Sequence, residues 1–71
     1  MSKWNTTPQS SNVAGFGYDK DRQTLIVEFK SGIRYNYYDI PEHVYDGIKL
    51  AGSKGKYLNS EIKGIYRYAR Q

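Results

Sequence analysis

Cysteine is absent from the 71 residues, which excludes disulfides and thiolate metal sites and leaves packing and hydrogen bonds to hold the fold. Histidine occurs once, as His43, too few for a zinc site without cysteine. No stretch has the apolar length of a signal peptide or a membrane span, so the expected setting is soluble, reducing and cytoplasmic, with no membrane partner. Large apolar residues are also few. Phe16, Leu25, Ile26, Val27, Phe29, Ile33, Ile40, Val44, Ile48, Leu50, Leu58, Ile62 and Ile65 form the candidate core, with Trp4 near one end. A chain this short buries only about 60% of its unfolded surface, so each of them counts.

Eight tyrosines supplement that thin set. A tyrosine combines an apolar ring with a polar tip, so each reads first as core packing with a wet hydroxyl and second as a stacking surface. The other excess is positive charge, net +4 and unevenly placed. Residues 1–48 carry five Lys/Arg against six Asp/Glu, a balance of −1; residues 49–71 carry Lys49, Lys54, Lys56, Lys63, Arg67 and Arg70 against Glu61 alone, a balance of +5. The asymmetry suggests an anionic partner for the C-terminal third, the plainer alternative being a solvated basic face.

Residues 1–11 are polar, contain Pro8 and lack periodicity. They read as a flexible tail from which Trp4 docks either on the domain edge or on a partner. Residues 12–71 read as a single α+β domain: a three-stranded antiparallel meander (about 12–18, 23–29, 33–38) followed by two helices (about 41–51, 54–66) packed on one face. In "TLIVEF" Leu25, Val27 and Phe29 alternate with Thr24, Ile26 and Glu28. A three-residue "KSG" turn with Gly32 left-handed pairs Phe29 with Ile33, Val27 with Tyr35, Leu25 with Tyr37 and Glu28 with Arg34, which matches every pair by chemistry. A polar turn at residues 19–22 sets Phe16 opposite Leu25 and Ala14 opposite Val27. This register points Tyr35 and Tyr37 into the core and turns Arg34, Asn36 and Tyr38 to the opposite face, beside Ile26.

Pro41 suits the first helical position, Val44, Tyr45, Ile48 and Ala51 form one buried stripe, and Gly52 ends that helix. Gly47 costs it about 1 kcal/mol against alanine, so packing must hold it. Ser53 is the expected N-cap of the second helix, with Leu58, Ile62, Ile65 and Tyr66 on its inner face. If that helix runs past Gly64, then Lys56, Lys63, Arg67 and Arg70 gather into a basic stripe edged by Asn59. If it stops there, the stripe shrinks to Lys56 and Lys63, and "IYRYAR" becomes a short strand or tail.

Catalytic chemistry finds no support. His43 sits in a first helical turn beside Glu42, an ordinary exposed position; no serine lies in an elbow motif; Asp19, Asp21 and Asp46 read as turn and surface groups. "GSKGK", residues 52–56, lacks Walker spacing. Its helix start, flanked by Lys54 and Lys56, nevertheless offers N–H groups and charge to a phosphate, unless it is only a tight helix-to-helix turn. No enzyme, cofactor or metal is expected.

The segment "SGIRYNYYDIPEHVYDGIKLAGSKGKYLNSEIKGIY" resembles the KTSC domain, a small bacterial module named for its place at the C-terminus of some lysyl-tRNA synthetases and also found in stand-alone form. The resemblance rests on Ser31, Gly32, Tyr35, Tyr37, Pro41, Val44, Tyr45, Ala51, Ser53, Gly55, Leu58, Asn59, Ile62 and Tyr66, and covers roughly residues 12–68. It implies RNA as a partner through the synthetase context. The inward register of Tyr35 and Tyr37 makes that part of the motif a signature of the fold.

The expected function is therefore non-enzymatic binding of RNA or single-stranded nucleic acid. Lys54, Lys56, Lys63, Arg67 and Arg70 would contact phosphates, and Tyr38, Arg34 and Asn36, or Tyr57, would touch bases. The alternative is a protein-binding adaptor, phage- or stress-related, that uses a tyrosine-rich surface or the Trp4 tail. A third reading is a domain that acts only beside another subunit.

Overall fold

The structure is a computed structural model that describes residues 4–7 and 12–71. The proline-containing stretch read as part of a tail lies outside the described residues. Five strands form one antiparallel sheet in chain order: β1 (Asn5–Thr6), β2 (Val13–Asp19), β3 (Thr24–Phe29), β4 (Arg34–Tyr37) and β5 (Tyr68–Arg70). Between β4 and β5 lie α1 (Glu42–Leu50) and α2 (Lys54–Tyr57), the latter continued by one π-helical turn over Leu58–Ile62. The fold is α+β, with two strands more than the sequence predicts.

The β3–β4 hairpin has the expected register: Leu25 faces Tyr37, Val27 faces Tyr35 and Glu28 faces Arg34. Gly32 takes φ +93°, and Phe29 N–H donates to Ile33 O at 2.9 Å while Gly32 N–H donates to Phe29 O at 2.9 Å. The β2–β3 pair differs from expectation. Phe16 faces Val27 and Tyr18 faces Leu25, with a bulge between Val13 and Gly15. The register has slipped by two residues, which keeps Phe16 on the core face because the pleat repeats in two, while the bulge puts Val13 in the core in place of the expected Ala14. Phe16 stays inside, and Tyr18 joins it. The turn accordingly occupies residues 20–23, with Gln23 at φ 51°.

Phe16, Tyr18, Leu25, Val27 and Tyr37 bury one face of the sheet against Val44 and Ile48 of α1 and Leu58 and Ile62 of the π-helical turn. Ile40 and Val13 complete this core. Two residues expected in it are out: Leu50 is 86% exposed and Ile65 is 63% exposed. Tyr45 stacks on Tyr18 at 4.6 Å, and its hydroxyl accepts from Asn5 Nδ2 at 3.0 Å. That bond ties β1 to α1, so Asn5 and Thr6 are a paired strand where a loose tail was expected.

The helices end differently from expectation. Pro41 is the N-cap of α1 and not its first helical residue. At the other end Ala51 is already extended (ψ 137°), and the Lys54 ammonium donates to the carbonyls of Lys49 (2.8 Å) and Ala51 (2.7 Å), closing the helix in place of Gly52. Ser53 caps α2 as expected, its side chain accepting from Lys56 N–H. After Ile62 the helix stops. Lys63 is extended (ψ 133°), its N–H donates to Leu58 O at 2.8 Å, and Gly64 takes φ +80°, a conformation glycine adopts without steric cost. The chain then returns as β5 alongside β4, facing Tyr68 to Tyr37 and Arg70 to Tyr35. Tyr38 N–H to Arg67 O and Gln71 N–H to Arg34 O, both 2.9 Å, bracket this pair.

Among the described residues no helix is long and apolar enough to cross a membrane. None of their His, Asp and Glu side chains form a group of three or more that would hold a metal ion.

Candidate nucleic-acid interface

Alternation along β3, β4 and β5 divides the side chains between two faces. The face away from the helices carries Ile26, Glu28, Arg34, Asn36 and Ala69, which are paired neighbours across the strands. No described helix covers it. Trp4 lies over β2, and a Cβ on Gly15 would stand 2.7 Å from Trp4 Nε1 and 2.9 Å from Asn5 O. The glycine is thus the seat of the indole. This settles the open question about Trp4: it docks on the domain, with 43% of its surface still exposed.

Two arginines stack on two rings of this face. The Arg34 guanidinium lies 5.2 Å from the Trp4 ring centroid, and that of Arg67 lies 5.4 Å from Tyr38. Each is oriented by a carboxylate, Arg34 by Glu28 at 2.8 Å and Arg67 by Asp39 at 3.3 Å. Asn36 Oδ1 accepts from Gln71 Nε2 at 2.7 Å. The result is a row of flat, partly exposed groups with amides between them, a surface on which unstacked bases can lie against rings or guanidinium planes.

The predicted contact residues divide sharply by role. Arg34, Asn36, Tyr38 and Arg67 meet on the open face. Lys54 does not contribute there, because its ammonium is engaged with the end of α1. Tyr57 is also occupied: its hydroxyl donates to Val44 O at 3.2 Å, the ring fills the space left by Gly47, and burial raises its pKa, with Glu61 and then Tyr66 adding to the effect. The stripe of Lys56, Lys63, Arg67 and Arg70 does not form, since the helix ends before Gly64 and the two arginines belong to the returning segment and β5. Lys56 stands apart and exposed on α2.

Lys63 and Arg70 come instead to the turn end of the β3–β4 hairpin. A cavity of about 440 Å³ there is lined by Asn12, Phe29, Lys30, Ser31, Ile33, Tyr35 and Lys63. Beside it a hollow of about 350 Å³ is lined by Gly32, Ile33, Arg34, Arg70 and Gln71. Lys63 Nζ sits 5.3 Å from the Phe29 ring centroid. Tyr35 packs edge-on against both Phe29 (5.6 Å) and Tyr68 (5.7 Å). Tyr37 is the inner member of this aromatic cluster, 2% exposed. Burial first, then Tyr35 and Tyr68, pushes its hydroxyl up to about 12. Sequence reasoning missed Gln71, Tyr68 and Lys30. Only Gly15 offered a signal for the Trp4 seat, because glycine inside a strand often marks a close approach by another group.

The KTSC domain profile matches residues 9–68. A protein of Stutzerimonas stutzeri is 41% identical over 63 residues, which cover 87% of this chain and 89% of that protein. A segment of the lysine–tRNA ligase of Nostoc punctiforme is 38% identical over 61 residues, 86% of this chain; the match spans only 11% of the ligase. A crystal structure of a KTSC domain protein from Yersinia pestis superposes with a TM-score of 0.90 at 28% identity, covering 100% of this chain and 99% of that one. With the profile matched over most of its length and its fold superposing on that structure throughout, the chain belongs to the KTSC domain family.

Proposed function

We propose that the open sheet face binds single-stranded nucleic acid, RNA foremost, as a non-enzymatic module of the cytoplasm. The observation that carries this reading is the pair of arginine–aromatic stacks, Trp4 with Arg34 and Tyr38 with Arg67, on one face that no described helix covers. Rings and guanidinium planes receive bases of any identity, and arginines receive phosphates, so the surface suits a strand without a fixed sequence. The lysine–tRNA ligases that contain a similar segment act on an RNA by name, which makes RNA the first ligand to try.

Trp4 is the only tryptophan in the chain, so its fluorescence reports on this face alone. Titration with an unlabelled single-stranded RNA of mixed sequence is expected to quench or shift that emission in a saturable way, and Tyr38→Ala is expected to weaken the effect. Unchanged Trp4 emission at low salt would count against the reading.

A further inference from the structure

The two hollows at the hairpin end have a composition that the open face does not use. Their linings include Lys30, Lys63, Arg34 and Arg70 and no Asp or Glu side chain. Among the described residues neither Lys63 nor Arg70 forms an ion pair with an acid, unlike the arginines that stack on Trp4 and Tyr38. An anion is therefore the occupant favoured by charge. The larger cavity adds Phe29, Ile33 and Tyr35 as apolar and aromatic walls, and its volume of about 440 Å³ lies within the range of small-ligand pockets. A flat ring joined to an anionic group matches both halves of that lining.

We propose that this cavity is a pocket for one nucleotide, its base against Phe29, Ile33 and Tyr35 and its phosphate on Lys63. The proposal rests on the reading of the open face as a nucleic-acid surface, and it gives that surface an end. The larger cavity and the smaller hollow share Ile33, and the smaller hollow shares Arg34 with the Trp4 stack. A strand can thus leave the open face at Arg34, pass Arg70 and place one unstacked nucleotide beside Lys63 without meeting an Asp or Glu side chain in the lining of either hollow. An interface built this way recognises a single-strand end or a flipped-out nucleotide, which base-paired RNA cannot supply.

The test is amide NMR of the full chain titrated with adenosine and uridine monophosphates, with inorganic phosphate as control, alongside anisotropy with a labelled single-stranded RNA. Mononucleotides are expected to move the resonances of Ser31, Ile33, Tyr35 and Lys63. Lys63→Glu, a change at an exposed side chain, is expected to weaken mononucleotide binding roughly tenfold or more, as loss of a charge-assisted contact implies. Tyr38→Ala is expected to leave mononucleotide binding intact while weakening the oligonucleotide. Mononucleotide shifts confined to the open face, or the same shifts with phosphate alone, or insensitivity to Lys63→Glu would overturn the pocket while leaving the open face as a site. Failure of both mononucleotide and oligonucleotide to bind would overturn both readings.

Discussion

Tyr37 ties the stability of the fold to pH. Its hydroxyl is raised from the ordinary 10.0 to about 12 by burial and by its neighbours Tyr35 and Tyr68, so the folded chain holds that proton more tightly than the unfolded chain does. The contribution is fully present below the unfolded value and is lost as pH rises through the folded one, on the order of 2–3 kcal/mol across that window. Urea unfolding followed between pH ~9 and ~12 is expected to show this loss, and Tyr37→Phe to flatten it. Lys54 makes a second residue-scale case. Because its ammonium holds two carbonyls at the end of α1, Lys54→Ala is expected to lower stability by about 1 kcal/mol with nucleic-acid affinity unchanged. Tyr38→Ala should do the reverse, weakening RNA by about 1–3 kcal/mol with the unfolding midpoint little moved.

At the scale of elements, α1 and α2 are fitted to each other through Gly47. A Cβ there would fall 2.1 Å from the Tyr57 hydroxyl and 2.7 Å from its Cζ. Alanine is the better helix former by about 1 kcal/mol, yet Gly47→Ala is expected to destabilise the protein, and adding Tyr57→Leu to recover part of the loss, as a thermal-unfolding double-mutant cycle would show. The same elements mark how far sequence reaches. The β3–β4 register was legible because alternation, β-branched residues and a left-handed glycine all agreed. The β2 register was not, because the polar run after Tyr18 turns over residues 20–23 and not 19–22, and the bulge at Ala14 then swaps Val13 into the core, neither of which pairing chemistry reveals. A strand of two residues such as β1 carries too little alternation to be read, whereas β5 was legible as the alternative in which the helix stops at Gly64 and "IYRYAR" becomes a short strand. Four of the predicted contact residues, Arg34, Asn36, Tyr38 and Arg67, do converge. Lys54 and Tyr57 looked equally available in sequence, but helix ends and helix contacts claim them, and such claims depend on tertiary distance.

For the molecule as a whole, the sheet has one face packed against the helices and one open, with Lys63 and Arg70 at the hairpin end making no ion pair among the described residues. Binding through this arrangement must release counterions and weaken with salt, with a log–log slope of about −0.7 for each phosphate neutralised on a single strand. A protein partner held by apolar contacts would show no such slope. The most direct measurement is therefore anisotropy of a labelled single-stranded RNA across a series of salt concentrations, comparing the natural chain with Tyr38→Ala/Arg67→Ala and with Lys56→Ala. The account predicts salt-sensitive binding that the open-face double variant loses and the Lys56 variant keeps. Absence of binding at low salt, or loss in the Lys56 variant with the double variant unaffected, would contradict it.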